Sequence, residues 1–169
     1  MRIGILTVSD RSSRGERADL SGPALQELIQ TQGWTATKMG TIPDDLQVIK
    51  DRLISWSDSN ELDLILTTGG TGFSSRDITP EATLDVIERE AQGIAEAMRA
   101  DSLKITPHAM MSRARAGIRG HTLIVNLPGS PKAAVENIKV ILPIIEHAIE
   151  LLSDDPGAEE GHRYEEQKR

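Results

Sequence analysis

The sequence predicts an α/β fold, a three-layer α/β/α sandwich around a mostly parallel sheet, and three observations carry that prediction. Short, predominantly apolar runs recur at 3–8, 62–68 and 121–126. Segments with apolar residues every three or four positions alternate with them. Glycine, proline or a polar cluster punctuates each junction. A strand that is apolar on consecutive positions is buried on both faces, as in the middle of a parallel sheet covered by helices.

Taken in order, the run Ile3-Gly4-Ile5-Leu6-Thr7-Val8 is the first strand, and a polar loop spans 10–19. Ser21-Gly22-Pro23 then starts a helix whose apolar positions are Leu25, Leu28 and Ile29, ending at Gly33. Residues 34–42 form a weaker strand, and Leu46, Ile49, Leu53 and Trp56 mark the next helix. The strand at 62–68 runs into a glycine-rich turn, and a further helix begins at Thr79-Pro80-Glu81 with Thr79 as N-cap and Pro80 at its first position. Residues 93–106 read as helix, 111–120 as an irregular strand and 121–126 as the last strand. The closing helix carries Ala134, Ile138, Ile141, Ile145, Ala148 and Leu152, with a kink expected at Pro143. The domain is therefore placed at 1–152, followed by an acidic tail at 153–169 whose composition predicts disorder.

Composition removes several function classes. A chain of 169 residues with 38% hydrophobic content supports one core. Its first apolar run is too short for a membrane span and lacks the pattern of a signal peptide, so a cytoplasmic protein without membrane association is expected. With no cysteine there is no disulfide, thiolate metal site or cysteine nucleophile. A net charge of -7 and 2% aromatic residues argue against nucleic-acid binding. Within this acidic chain, residues 99–121 reverse the sign, with Arg99, Lys104, Arg113, Arg115 and Arg119 against Asp101 alone. Either a confined anionic ligand or a solvated charged face accounts for that segment.

The chemistry-bearing segments all follow predicted strands: Ser9-Asp10-Arg11, Pro43-Asp44-Asp45, residues 67–77 and residues 127–132. Because ligands in open α/β sheets bind beyond the carboxyl ends of the strands, all four are expected at one edge. The segment Thr67-Thr68-Gly69-Gly70-Thr71-Gly72 brings three glycines and three hydroxyls to a strand end, which suits phosphate better than a plain strand-to-helix turn, since such a turn rarely needs three glycines. Asp77, beside that turn, is a candidate to hold Mg²⁺, and Arg76 to neutralise phosphate. One of Asp44 and Asp45 is needed only to cap a helix, and position alone does not say which. Pro128-Gly129-Ser130 forms a second stiff strand-to-helix turn suited to nucleotide binding. The scattered histidines at 108, 121, 147 and 162 have no metal-ligand spacing.

These motifs, in this order, resemble the molybdopterin adenylyltransferases, the MogA-like family of molybdenum cofactor biosynthesis. The carriers are Thr7-Val8-Ser9-Asp10, Asp19-Leu20-Ser21-Gly22-Pro23, Ile42-Pro43-Asp44, Thr68-Gly69-Gly70-Thr71-Gly72, Arg76-Asp77-Ile78-Thr79-Pro80-Glu81 and Asn126-Leu127-Pro128-Gly129-Ser130-Pro131. The stretch Ser102-Leu103-Lys104-Ile105-Thr106-Pro107, with Met111-Ser112-Arg113, is similar to the family's pterin-side segment. The resemblance implies transfer of AMP from ATP to the terminal phosphate of molybdopterin, with ATP and molybdopterin in neighbouring halves of one cleft. It assigns Asp44 and Asp77 as catalytic residues and Mg²⁺ holders, and Thr68 to Gly72 with Pro128, Gly129 and Ser130 to the nucleotide. Ser9, Asp10, Ser112 and Arg113 fall to molybdopterin. A homotrimer, and the molybdate-insertion enzyme as partner, are also implied. The family often has Asn or Gln at the position of Ser130, and His108 stands where an aromatic or aliphatic residue is common.

Overall fold

The computed structural model describes residues 1–153, so the acidic tail expected at 153–169 lies, from residue 154 onward, outside the described residues. The chain runs through β1 (Arg2–Val8), α1 (Asp10–Ser13), α2 (Ser21–Thr31), β2 (Thr35–Ile42), α3 (Leu46–Asp58) and β3 (Leu64–Thr68). It continues through α4 (Thr79–Val86), β4 (Arg89–Glu90), α5 (Gln92–Leu103), a 3₁₀ turn (Pro107–Met111), β5 (Ala116–Arg119), β6 (Thr122–Leu127) and α6 (Pro131–Leu152). The strands form one sheet in the order β2-β1-β3-β6-β5-β4, in which β2, β1, β3 and β6 are parallel and β5 and β4 pair antiparallel.

Consecutive apolar residues of the central strands supply both faces of this sheet. Ile3, Ile5, Leu64, Leu66, Leu123 and Val125 pack with Leu25 and Ile29 of α2, Met98 of α5 and Ile138 and Ile141 of α6. Leu6, Val8, Ile65 and Ile124 point the other way, against Ile49, Leu53 and Trp56 of α3 and Ala82 and Val86 of α4. The alternation is the period of two of an extended chain, and the predicted three-layer sandwich follows from it. Gly4 admits the second cluster: a Cβ there would lie 2.7 Å from Leu62 and 2.9 Å from Trp56. Edge strand β2 alternates between exposed and half-buried along most of its length, which is why its apolar signal is weaker.

Local differences from the expected elements have local causes. The loop expected at 10–19 opens with a helical turn, α1, because the Ser9 hydroxyl accepts the Ser12 N–H at 3.2 Å. At α4 the N-cap is Ile78, so Thr79 is already helical and Pro80 sits one residue further in. The irregular strand expected at 111–120 resolves into the end of the 3₁₀ turn, a connector and the short β5. α6 runs through Pro143 to Leu152. No described helix is long and apolar enough to cross a membrane.

From β1 the chain crosses to β2 on one side, and the next strand, β3, lies on the other side of β1. The carboxyl ends of β1 and β3 therefore flank a topological switch point, where connecting loops part and leave a crevice.

Candidate active site

The crevice is occupied by a cavity of about 630 Å³. Val8, Ser9 and Asp10 leaving β1, Thr68, Gly69 and Gly70 leaving β3, and Gly129, Ser130 and Pro131 leaving β6 line it, with Asp44 and Asp77. All four strand-following segments thus contribute to the carboxyl edge, as the sequence predicted. A second cavity of about 300 Å³ lies beside the first, lined by Thr71, Gly72, Pro128, Arg99, Ser102 and Ser112 among others. The two glycine turns form the wall between them: Thr68 to Gly70 and Gly129 face the first, Thr71, Gly72 and Pro128 the second.

Close backbone approach builds that wall. Gly69 has φ +105° and Gly70 φ +63°, the left-handed region that disfavours a side chain, and a Cβ on Gly69 would collide with the carbonyl oxygen of Val8. The Gly69 N–H donates to the Leu127 carbonyl at 3.1 Å, and the Thr68 hydroxyl donates to the Pro128 carbonyl at 2.7 Å. Thr68 therefore joins the turns. The Ser21 hydroxyl adds a third tie, donating to the Gly129 carbonyl at 2.8 Å. Ser130 accepts the Ala133 N–H as N-cap of α6, whose N-terminus opens on the first cavity and favours an anion there.

The structure separates the two adjacent aspartates. Asp45 caps α3, its carboxylate accepting the Val48 N–H at 3.0 Å. Asp44 instead forms a reciprocal clasp with Asp10: Asp44 Oδ2 accepts the Asp10 N–H at 2.7 Å, and Asp10 Oδ1 accepts the Asp44 N–H at 3.1 Å. Burial pushes the Asp44 carboxyl above its ordinary range. The Asp10 N–H and the Arg76 guanidinium oppose the rise, whereas the charges of Asp10 and Asp77 add to it. Asp77 Oδ2 accepts the Ser74 N–H at 2.9 Å, which fixes the carboxylate beneath Gly72.

Arg76 does not stand free for a phosphate. Its Nε and Nη2 donate to Asp10 at 3.0 and 3.1 Å, bridging the loops after β1 and β3. Four residues expected on one ligand are divided: Ser9 and Asp10 line the first cavity, Ser112 the second, and Arg113 neither. The Arg113 Nε donates to the Gly72 carbonyl at 2.7 Å, and its terminal nitrogens reach the Asp77 carbonyl and the Glu81 carboxylate. Most of the basic segment is likewise internally engaged, with Arg115 on Glu90, Arg119 on Asp58 and Lys104 on Asp101. Arg99 is the exception that meets no carboxylate among the described residues; it donates to the Ser112 and Ala114 carbonyls and lines the second cavity.

Arg11 belongs to a segment expected at this edge, but residue reasoning gave no site role to Arg14, Arg17, Asp19 or Ser21. Arg11, Arg14, Arg17, Asp19 and Ser21 all line the first cavity. Asp19 accepts the Ser21 and Gly22 N–H groups at 3.0 and 3.1 Å and the Thr7 hydroxyl at 2.6 Å, pinning α2 to the end of β1. The available signal was arginine at every third position directly after a buried strand.

A family model described as "Probable molybdopterin binding domain" matches residues 4–147. Gephyrin from Dictyostelium discoideum is 45% identical over 95% of this chain, which spans only 24% of that protein's length. A molybdopterin adenylyltransferase from Helicobacter pylori is 42% identical over 90% of this chain and 88% of its own. Among solved structures, the molybdopterin biosynthesis enzyme MoaB from Thermus thermophilus superposes with a TM-score of 0.86 at 48% identity, covering 92% of this chain and 98% of that one. The chain belongs to the molybdopterin-binding family of molybdenum cofactor biosynthesis, and its relatives there include molybdopterin adenylyltransferases such as the Helicobacter pylori enzyme.

Proposed function

We propose that this protein transfers AMP from ATP to the terminal phosphate of molybdopterin, giving adenylated molybdopterin and pyrophosphate. The observation that carries the reading is the pair of cavities sharing one wall of glycine turns, an arrangement that suits two substrates meeting across a phosphoryl group. The first cavity, with the α6 N-terminus and the Gly69-Gly70 turn, takes the nucleotide. The second takes molybdopterin, with Ser112, Ser102 and Arg99 toward it. Ser9 and Asp10 then serve the nucleotide side, and Arg113 holds the wall.

The acceptor phosphate is already ionised near neutral pH, so no strong base is required. One of its oxygens bonds to the α-phosphorus of ATP while the bond from that phosphorus to the bridging oxygen breaks, and pyrophosphate leaves with the electron pair. Positioning and charge neutralisation supply the catalysis. Among the described residues no three carboxylate or imidazole groups gather as a metal site. Mg²⁺ uses one or two carboxylates and completes its shell with substrate phosphates, and Asp44 and Asp77 both line the first cavity. Asp44 and Asp77 would hold it, and when bound it would neutralise charge developing on the phosphates.

The family likeness further supports a cytoplasmic homotrimer whose catalytic domain spans 1–152 and whose product passes to a molybdate-insertion enzyme. Light scattering after size exclusion tests the trimer. For the activity, purified protein with molybdopterin, ATP and Mg²⁺ is expected to release pyrophosphate and adenylated molybdopterin, and absence of both refutes it. Asp77→Asn is expected to lower turnover on the order of 10²-fold or more with an unchanged circular dichroism spectrum. Near-wild-type turnover in that variant would remove Asp77 from the mechanism.

A further inference from the structure

We propose that Arg11 and Arg17 bind the β- and γ-phosphates of the nucleotide, making the first cavity selective for a nucleoside triphosphate over the monophosphate. The proposal rests on the adenylyltransferase reading and assigns a role to side chains which that reading leaves unused.

Three arginines line the first cavity from the segment after β1. Arg14 is committed to Glu16, its Nε and Nη2 donating at 2.7 and 3.1 Å. The side chains of Arg11 and Arg17 make no hydrogen bond or ion pair with any described residue, although Glu16 lies within the electrostatic reach of Arg11. That is a contrast with Arg2, Arg76, Arg113, Arg115 and Arg119, each closed on a carboxylate.

Charge balance gives the two guanidiniums a task. Asp10, Asp19, Asp44 and Asp77 line the same cavity, in a chain of net charge -7. Arg76 offsets Asp10, and Asp19 is held by the α2 N-terminus. A triphosphate there shares the cavity with these carboxylates, and local positive charge is required to retain it. Direction points to the same residues. The turns at 68–72 and 128–129 divide between the two cavities, Thr68 to Gly70 and Gly129 facing the first and Thr71, Gly72 and Pro128 the second, whereas Arg11, Arg14 and Arg17 line only the first. An acceptor in the second cavity attacks the α-phosphorus across the shared wall, so an in-line leaving group departs away from that wall, into the space these arginines line. A guanidinium offers two parallel N–H donors to a phosphate, a geometry that a lysine cannot reproduce.

The test is calorimetric titration of the full chain with ATP, ADP and AMP, with Mg²⁺ present, for wild type, Arg11→Gln, Arg17→Gln and the double variant. Wild type is expected to bind ATP more tightly than AMP. Each substitution is expected to weaken ATP about tenfold while moving AMP by no more than about twofold. The KM for ATP should rise and kcat should fall, because the same guanidiniums neutralise the departing pyrophosphate, and Arg17→Lys should restore only part of the loss. Both side chains are exposed, so thermal midpoints should stay at the wild-type value. Variants that keep the ATP-over-AMP preference, or that lose ATP and AMP equally, overturn the proposal while leaving the adenylyltransferase reading intact. Wild-type protein that binds none of the three nucleotides overturns both.

Discussion

At the scale of single residues, Asp44 shows a site held against stability. Its carboxyl is pushed up by burial, with the charges of Asp10 and Asp77 adding to the effect. A carboxylate raised in the native state holds its proton more tightly there than in the unfolded chain, so ionisation opposes folding. Stability therefore falls as pH rises from the ordinary aspartate value of about 3.9 through the raised native one, and the deficit persists above it. Asn at this position removes the charge and keeps an oxygen to accept the Asp10 N–H. Asp44→Asn is expected to unfold at a higher Tm than wild type at pH 7, with the gap closing toward about pH 3, while turnover drops on the order of 10²-fold or more. A variant less stable than wild type at pH 7 would show that the clasp, and not the charge, dominates. Charge patterning carries no such signal, because adjacent Asp44 and Asp45 differ only in which way the chain turns them.

At the scale of elements, legibility follows burial. β1, β3 and β6 were readable because helices cover both faces and force continuous apolar runs. β4 was not, since Arg89 and Glu90 are exposed and owe their extended form to pairing with Ile118 and Gly117. The meeting of the strand-following segments at one edge was readable, because each follows a predicted parallel strand, whereas the switch point needs the strand order and the division into two cavities depends on contacts between distant turns, Thr68 with Pro128 and Ser21 with Gly129. The start of α2 shows how such a junction is held. Pro23 and Gly22 mark it in the sequence, but Asp19, outside the helix, accepts two of its leading N–H groups and the Thr7 hydroxyl. Asp19→Ala is expected to lose about 1–2 kcal/mol in urea unfolding, in the range of a lost cap. It should also weaken ATP binding by letting the cavity-lining segment move. An unchanged urea midpoint would mean that β1 and α2 are fixed by their apolar contacts alone.

At the scale of the molecule, the two cavities must be kept in register, and Arg113 is the side chain placed to do it. It follows the segment that brings Ser112 to the second cavity, and its backbone N–H donates to the Thr71 carbonyl at 2.9 Å. Its guanidinium spans the Gly72 carbonyl on the second-cavity side and the carbonyl of Asp77, whose residue lines the first cavity. Glu81 at the start of α4 completes the fork. A planar guanidinium serves these three directions at once, and a single ammonium does not. Arg113→Lys therefore keeps the charge and loses the geometry. The expected outcome is a loss of about 1–2 kcal/mol of stability together with a fall in kcat and a rise in the KM of both substrates, because one loop carries a wall for each. Glu81→Gln, which spares both carbonyl contacts, should cost less than about 1 kcal/mol and leave both KM values near wild type. If Arg113→Lys raises only one KM, the two halves are positioned independently, and the shared wall does not couple them.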